Sequence, residues 1–121
     1  MVQQIHFHSR NKDYGYFCRK AMEMYKAESS RVIIVSDCRR KTDIKFFEET
    51  FGTDCTKRVR VEASEDIRKQ RGYIFQDGVD NAESECGLDD LEGGFNFLLN
   101  NDGRDCEKDV LDPILKWIDT A

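Results

Sequence analysis

A chain of 121 residues can bury one hydrophobic core but not two, and 39% hydrophobic with 36% charged residues and a single proline fits a folded domain rather than a disordered tail. The net charge of -5 argues against a general binder of nucleic-acid backbones, and no apolar run approaches the roughly 20 residues that span a bilayer. The amino terminus has no signal-peptide pattern, so the expected location is the cytosol, where five widely spaced cysteines without a Cys-x-x-Cys pair read as reduced thiols.

In chain order, Phe17, Ala21, Met24 and Tyr25 recur at helical spacing and predict an amphipathic helix. Residues 31–36, apolar in the middle, predict a buried parallel strand. Thr42 is positioned to cap a second helix with Ile44, Phe47 and Phe51 on one face, stopped by Gly52. A second strand is expected over 57–61, and Ser64 should cap a helix through Ile67, Arg68 and Arg71. Gly72, Gly78 and an acidic run then predict a loop, followed by a strand over 95–99 and a left-handed turn at 100–103. A final helix carries Leu111, Ile114, Leu115 and Ile118, with Pro113 either kinking it or lying in its first turn after an Asp112 cap. Strands alternating with helices imply parallel pairing and an α/β layered domain.

Lys and Arg concentrate in three short segments of an otherwise acidic protein, which points to a specific anion pocket. Asp37, Arg39 and Arg40 follow the first predicted strand, where open α/β sheets bind ligands. Adjacent guanidinium groups there can grip phosphate or carboxylate oxygens; the plainer alternative is a solvated loop. Arg68 and Arg71 share a helix face at i and i+3, with Gly72 as a possible hinge, and such a pair can neutralise charge on a transferring phosphoryl group. An ordinary solvated helix face is the competing reading. The acidic stretch 77–90 fails the calcium-loop spacing and reads as a solvated lid or a counter-charge for nearby arginines. His6 and His8 lack further ligands, so no protein metal site is expected.

Tyr16-Phe17-Cys18-Arg19-Lys20, Val35-Ser36-Asp37-Cys38-Arg39-Arg40, Arg68-Lys69-Gln70-Arg71-Gly72 and Asp80-Asn81-Ala82-Glu83-Ser84-Glu85-Cys86-Gly87-Leu88-Asp89 together resemble animal-type phosphomevalonate kinase, from about Asp13 onward. The resemblance implies a three-layer, nucleoside-monophosphate-kinase-like parallel sheet of the P-loop class. It also implies transfer of the ATP γ-phosphate to mevalonate 5-phosphate, with ATP and substrate-bound Mg²⁺ required and a monomer expected. By the same resemblance Arg39, Arg40, Arg60 and Asn101 serve the acceptor. Arg68 and Arg71 are lid arginines with a catalytic role, Arg71 on the ATP phosphates, and Asp102 and Gly103 lie near the adenine.

No Gly-x-x-x-x-Gly-Lys-Ser/Thr cradle occurs in the chain. The expectation is therefore an atypical segment 1–12 before a partial kinase domain 13–121 with a lid region at about 64–92, truncated at its amino end and catalytically impaired. A non-catalytic module that binds phosphorylated metabolites or pairs with a kinase is the alternative. A kinase for another small phosphorylated acceptor is a third reading, which shares the fold but not the Glu-Ser-Glu-Cys-Gly-Leu-Asp run.

Overall fold

The computed structural model describes residues 12–103 and 106–120. His6, His8 and the rest of the segment before Lys12 lie outside the described residues.

Helix α1 spans Tyr16–Met24. Asp13 Oδ1 accepts the Gly15 N–H at 3.1 Å and turns the chain into it. The helix is where the periodicity predicts, but its buried face differs. Met22 is 7% exposed, whereas Met24 and Tyr25 are 72% and 77% exposed. The reason is packing: Gly15 is buried so closely under the Phe46 ring that a β-carbon there would collide with it. That contact turns the face carrying Gly15, Cys18 and Met22 inward and leaves the bulkier residues outside. A 3-10 turn, Ala27–Ser29, follows Lys26, which adopts a left-handed φ of 50°.

Residues 31–36 form no strand, which corrects the expectation of a buried parallel strand. A strand is defined by its neighbours, and among the described residues none pairs with this segment. Val32, Ile34 and Val35 are accordingly exposed, Ile34 at 85%, while Ile33 is half-buried. Arg31 Nη2 anchors it by donating to the Ile118 carbonyl at 3.1 Å.

Helix α2 spans Lys41–Phe51 and ends at Gly52, whose φ of 86° suits glycine. The cap residue is Arg40, not Thr42, because the side chain that reaches back over the first turn is Asp43. Tyr14 Oη donates to Glu49, and Lys45 Nζ sits 4.8 Å from the centre of the Tyr14 ring, so the start of α1 lies along α2.

Strand β1 is Val59–Glu62 and strand β2 is Phe97–Asn100. They pair in parallel, Val59 opposite Phe97 through Glu62 opposite Asn100. The α/β character and parallel pairing stand. Among the described residues the sheet has two strands, so the three-layer kinase sheet is not reproduced. Between the strands lie α3, Glu65–Gln70, capped by the Ser64 hydroxyl as expected, and the short α4, Glu83–Cys86.

The acidic run ahead of α4 is a chain of bonded turns. Gln76 N–H donates to Asp80, Gly78 N–H to Asn81, and the Asn81 amide to Asp77. The turn after β2 is built by Asn100 Oδ1 accepting the Asp102 N–H at 2.8 Å. No positive φ occurs at Asn100, Asn101 or Asp102, which corrects the left-handed turn.

Helix α5 spans Cys106–Thr120 with Pro113 in its interior, so Pro113 is not in the first turn and Asp112 is not a cap. It packs on β2, where Leu99 is 7% exposed. Ile114, Trp117 and Ile118 are half-buried, whereas Leu111 and Leu115 are exposed. No helix among the described residues is long and apolar enough to cross a membrane.

Candidate functional site

Beyond the carboxyl ends of the two parallel strands lies a cavity of about 470 Å³, lined among others by Arg60, Glu62, Ser64, Arg68, Asn100 and Asp102. Parallel strands release their chains at this edge, and ligands of open α/β sheets bind there. Two bonds fix its floor. Asp102 Oδ1 accepts the Ser64 N–H at 2.6 Å, and Glu62 O accepts the Asn101 N–H at 2.7 Å. The turn after β2 is thereby tied to the entry of α3, the helix that carries Arg68. Asp102, expected near the adenine, thus has a structural bond to Ser64.

Arg68 is exposed, its guanidinium 5.0 Å from the centre of the Tyr73 ring. Arg71 closes α3 as its C-cap, is exposed, and makes no side-chain ion pair or hydrogen bond among the described residues. Gly72 follows with φ 96°, a backbone state that glycine reaches without strain. The structure places Arg60, Arg68 and Asp102 on one cavity, with Asn101 bonded to its rim; Arg71, Gly103, Arg39 and Arg40 are not among its lining residues.

Arg39 and Arg60 both reach the acidic stretch that runs from α4 to Asp90, Arg39 at Glu85 within the helix and Arg60 at Asp89 after it. Arg39 Nη1 meets Glu85 at 3.3 Å while its Nε meets Asp37 at 2.6 Å. Arg60 Nη2 meets Asp89 at 2.6 Å and its Nε meets Glu62 at 3.1 Å. Lys41 Nζ meets Asp90 at 3.0 Å. The acidic stretch is therefore a counter-charge for two of the three basic segments, one of the two roles the sequence suggests. Hydrogen bonding to Asp37, reinforced by the charges of Asp37 and Glu85, raises the Arg39 pKa, and the bond to Lys41 lowers that of Asp90. The Arg39 and Lys41 pairs are exposed, so a phosphate group can displace their acidic partners.

Arg40, half-buried, caps α2 next to Arg39. Cys38, two residues before the cap, has its thiol pushed up to about 11 from 9.0 by burial, with Asp43 and Asp37 adding repulsion of the thiolate. The folded chain then holds the Cys38 proton more tightly than the unfolded chain does. Its contribution to stability is full below pH about 9 and is lost as pH rises through about 11. Cys38→Ser is expected to abolish a pH-dependent loss on the order of 2 kcal/mol. Urea midpoints of both chains from pH 8 to pH 11 measure it; parallel curves would contradict the burial of the thiol.

Sequence reasoning missed Arg58. It sits in the same basic run as Arg60 but is not among the cavity's lining residues: its Nε and Nη2 grip Glu48 of α2 at 2.7 and 3.0 Å and its Nη1 reaches the Glu92 and Gly94 carbonyls. No local pattern marks this, because its partners lie 10, 34 and 36 residues away.

Compared with known proteins, residues 2–53 match the family model described as phosphomevalonate kinase. A Drosophila melanogaster protein named phosphomevalonate kinase is 42% identical over 107 residues, 88% of this chain and 56% of the relative. The chain thus spans about half the length of the curated relative it matches. The aligned length takes in most of the chain. On these grounds the chain belongs to the phosphomevalonate kinase family.

Proposed function

We propose that this chain supplies the acceptor grip and lid arginines of an enzyme that transfers the γ-phosphate of ATP to mevalonate 5-phosphate. The observation that supports this reading best is that Arg39 and Arg60 both pair with one acidic segment, with Arg60 also lining a polar cavity; a phosphorylated acceptor would replace those acidic partners. In phosphoryl transfer a protein mainly positions groups and neutralises charge, so arginines held in this way suit the task. Arg39, Arg40, Arg60 and Asn101 serve the acceptor in this reading. Arg68 and Arg71 close over the transferring phosphoryl group on a lid of about residues 64–92, hinged at Gly72. ATP enters near Asp102 and Gly103, with its Mg²⁺ held mainly by nucleotide phosphates.

The 121 residues contain no P-loop motif, and a polypeptide without one positions ATP poorly. A coupled assay of ADP release with ATP and mevalonate 5-phosphate is expected to stay near background for this chain alone. Turnover close to that of a P-loop-containing relative would contradict the impairment. The second reading, a phosphometabolite-binding or kinase-partner module, predicts acceptor binding without ADP release.

A further inference from the structure

Among the described residues Asp43 is the buried charged side chain, 6% exposed on the first turn of α2. A carboxylate so placed is costly unless strong donors face it. Its Oδ2 accepts the backbone N–H groups of both Arg39 and Arg40, at 3.3 and 3.1 Å. The Cys18 thiol of α1 reaches Oδ1 at 3.6 Å. A capping-box acid ordinarily reaches back to one N–H, that of the cap residue. This one takes the residue before it as well.

We infer that Asp43 is a positioning residue, which fixes the backbone of the Arg39–Arg40 pair so that both guanidinium groups leave the α2 terminus in the arrangement that grips a phosphorylated acceptor. The inference rests on the acceptor reading of Arg39 and Arg40 given above. Two successive backbone N–H groups bonded to one carboxylate cannot rotate independently, so the two side chains start from one fixed frame. The bond from Cys18 ties that frame to α1. Without the carboxylate, Arg39 would still have Asp37 and Glu85 as partners, and these are exposed side chains rather than a buried anchor.

Asp43→Asn keeps shape and one acceptor oxygen but brings an NH₂ donor against N–H donors; Asp43→Ala removes both acceptors. Affinity for mevalonate 5-phosphate by calorimetry is expected to fall about 10-fold for Asp43→Asn and further for Asp43→Ala. Arg58→Lys, destabilised at a place remote from the pair, serves as the control for a merely structural effect and should keep its affinity. Hydrogen exchange gives a second readout. In Asp43→Asn the Arg39 and Arg40 amides should exchange at least about 10-fold faster while the later turns of α2 keep their protection.

Wild-type affinity in Asp43→Asn, unchanged exchange at Arg39 and Arg40, or an equal loss in Arg58→Lys overturns the inference. If Arg39→Ala/Arg40→Ala loses binding while Asp43→Asn does not, the inference fails and the reading of the site stands. A wild-type chain that binds nothing brings down the reading of the site, and the inference with it. Asp43→Asn is near-isosteric, so the test does not depend on Asp43→Ala folding.

Discussion

Arg58→Ala is expected to destabilise the fold by about 3 kcal/mol, a fall in Tm of roughly 10 °C. The Arg58 and Glu48 side chains are 20% and 19% exposed, far less than the other ion pairs, and the contact is two-pronged. Truncation strands a half-buried carboxylate on α2 and takes a donor from the Glu92 and Gly94 carbonyls. Arg58→Lys keeps the charge but not the fork, so it should lose about half as much. A double-mutant cycle with Glu48→Ala isolates the pair itself. A loss under about 0.5 kcal/mol by urea unfolding would show that this staple does not join α2 to the sheet.

For ligand binding, Arg39→Ala/Arg40→Ala is expected to weaken mevalonate 5-phosphate by about 100-fold and Arg60→Ala by about 10-fold, since each removes charge-assisted hydrogen bonds to a phosphate or carboxylate. The acidic segment should act in the opposite sense. Glu85→Gln with Asp89→Asn leaves Arg39 and Arg60 without these acidic partners, and the ligand no longer has to displace them. Affinity is then expected to rise about threefold. Lys69→Ala, whose partner is Glu65 on the surface of α3, should change nothing and serves as a control. Unaltered affinity in the Glu85/Asp89 variant would place the acceptor elsewhere.

Local chemistry predicted the elements well where the cause was local. The Ser64 cap, the Gly52 stop and the run into β1 each follow from a few adjacent residues. What failed depended on distant neighbours. The apolar run 31–36 has the composition of a buried strand, yet pairing needs a partner at its edge. The apolar pattern does not give the inward face of α1, because Gly15 against Phe46 sets its rotation and glycine adds nothing to such a pattern. Pro113 left two options open, and the helix running through it decides between them. At the site, the basic runs were visible in sequence but not their division of labour. Arg58 and Arg60 are two apart on β1 and its approach, and only the fold sends one to Glu48 and the other to Asp89.

The acceptor grip is tested most directly by calorimetric titration of the 121-residue chain with mevalonate 5-phosphate, alongside unphosphorylated mevalonate and inorganic phosphate. The account predicts saturable heat for mevalonate 5-phosphate, none for mevalonate, weaker binding of inorganic phosphate, and loss of the signal in Arg39→Ala/Arg40→Ala. No heat at millimolar mevalonate 5-phosphate, or equal binding by the double variant, would contradict it.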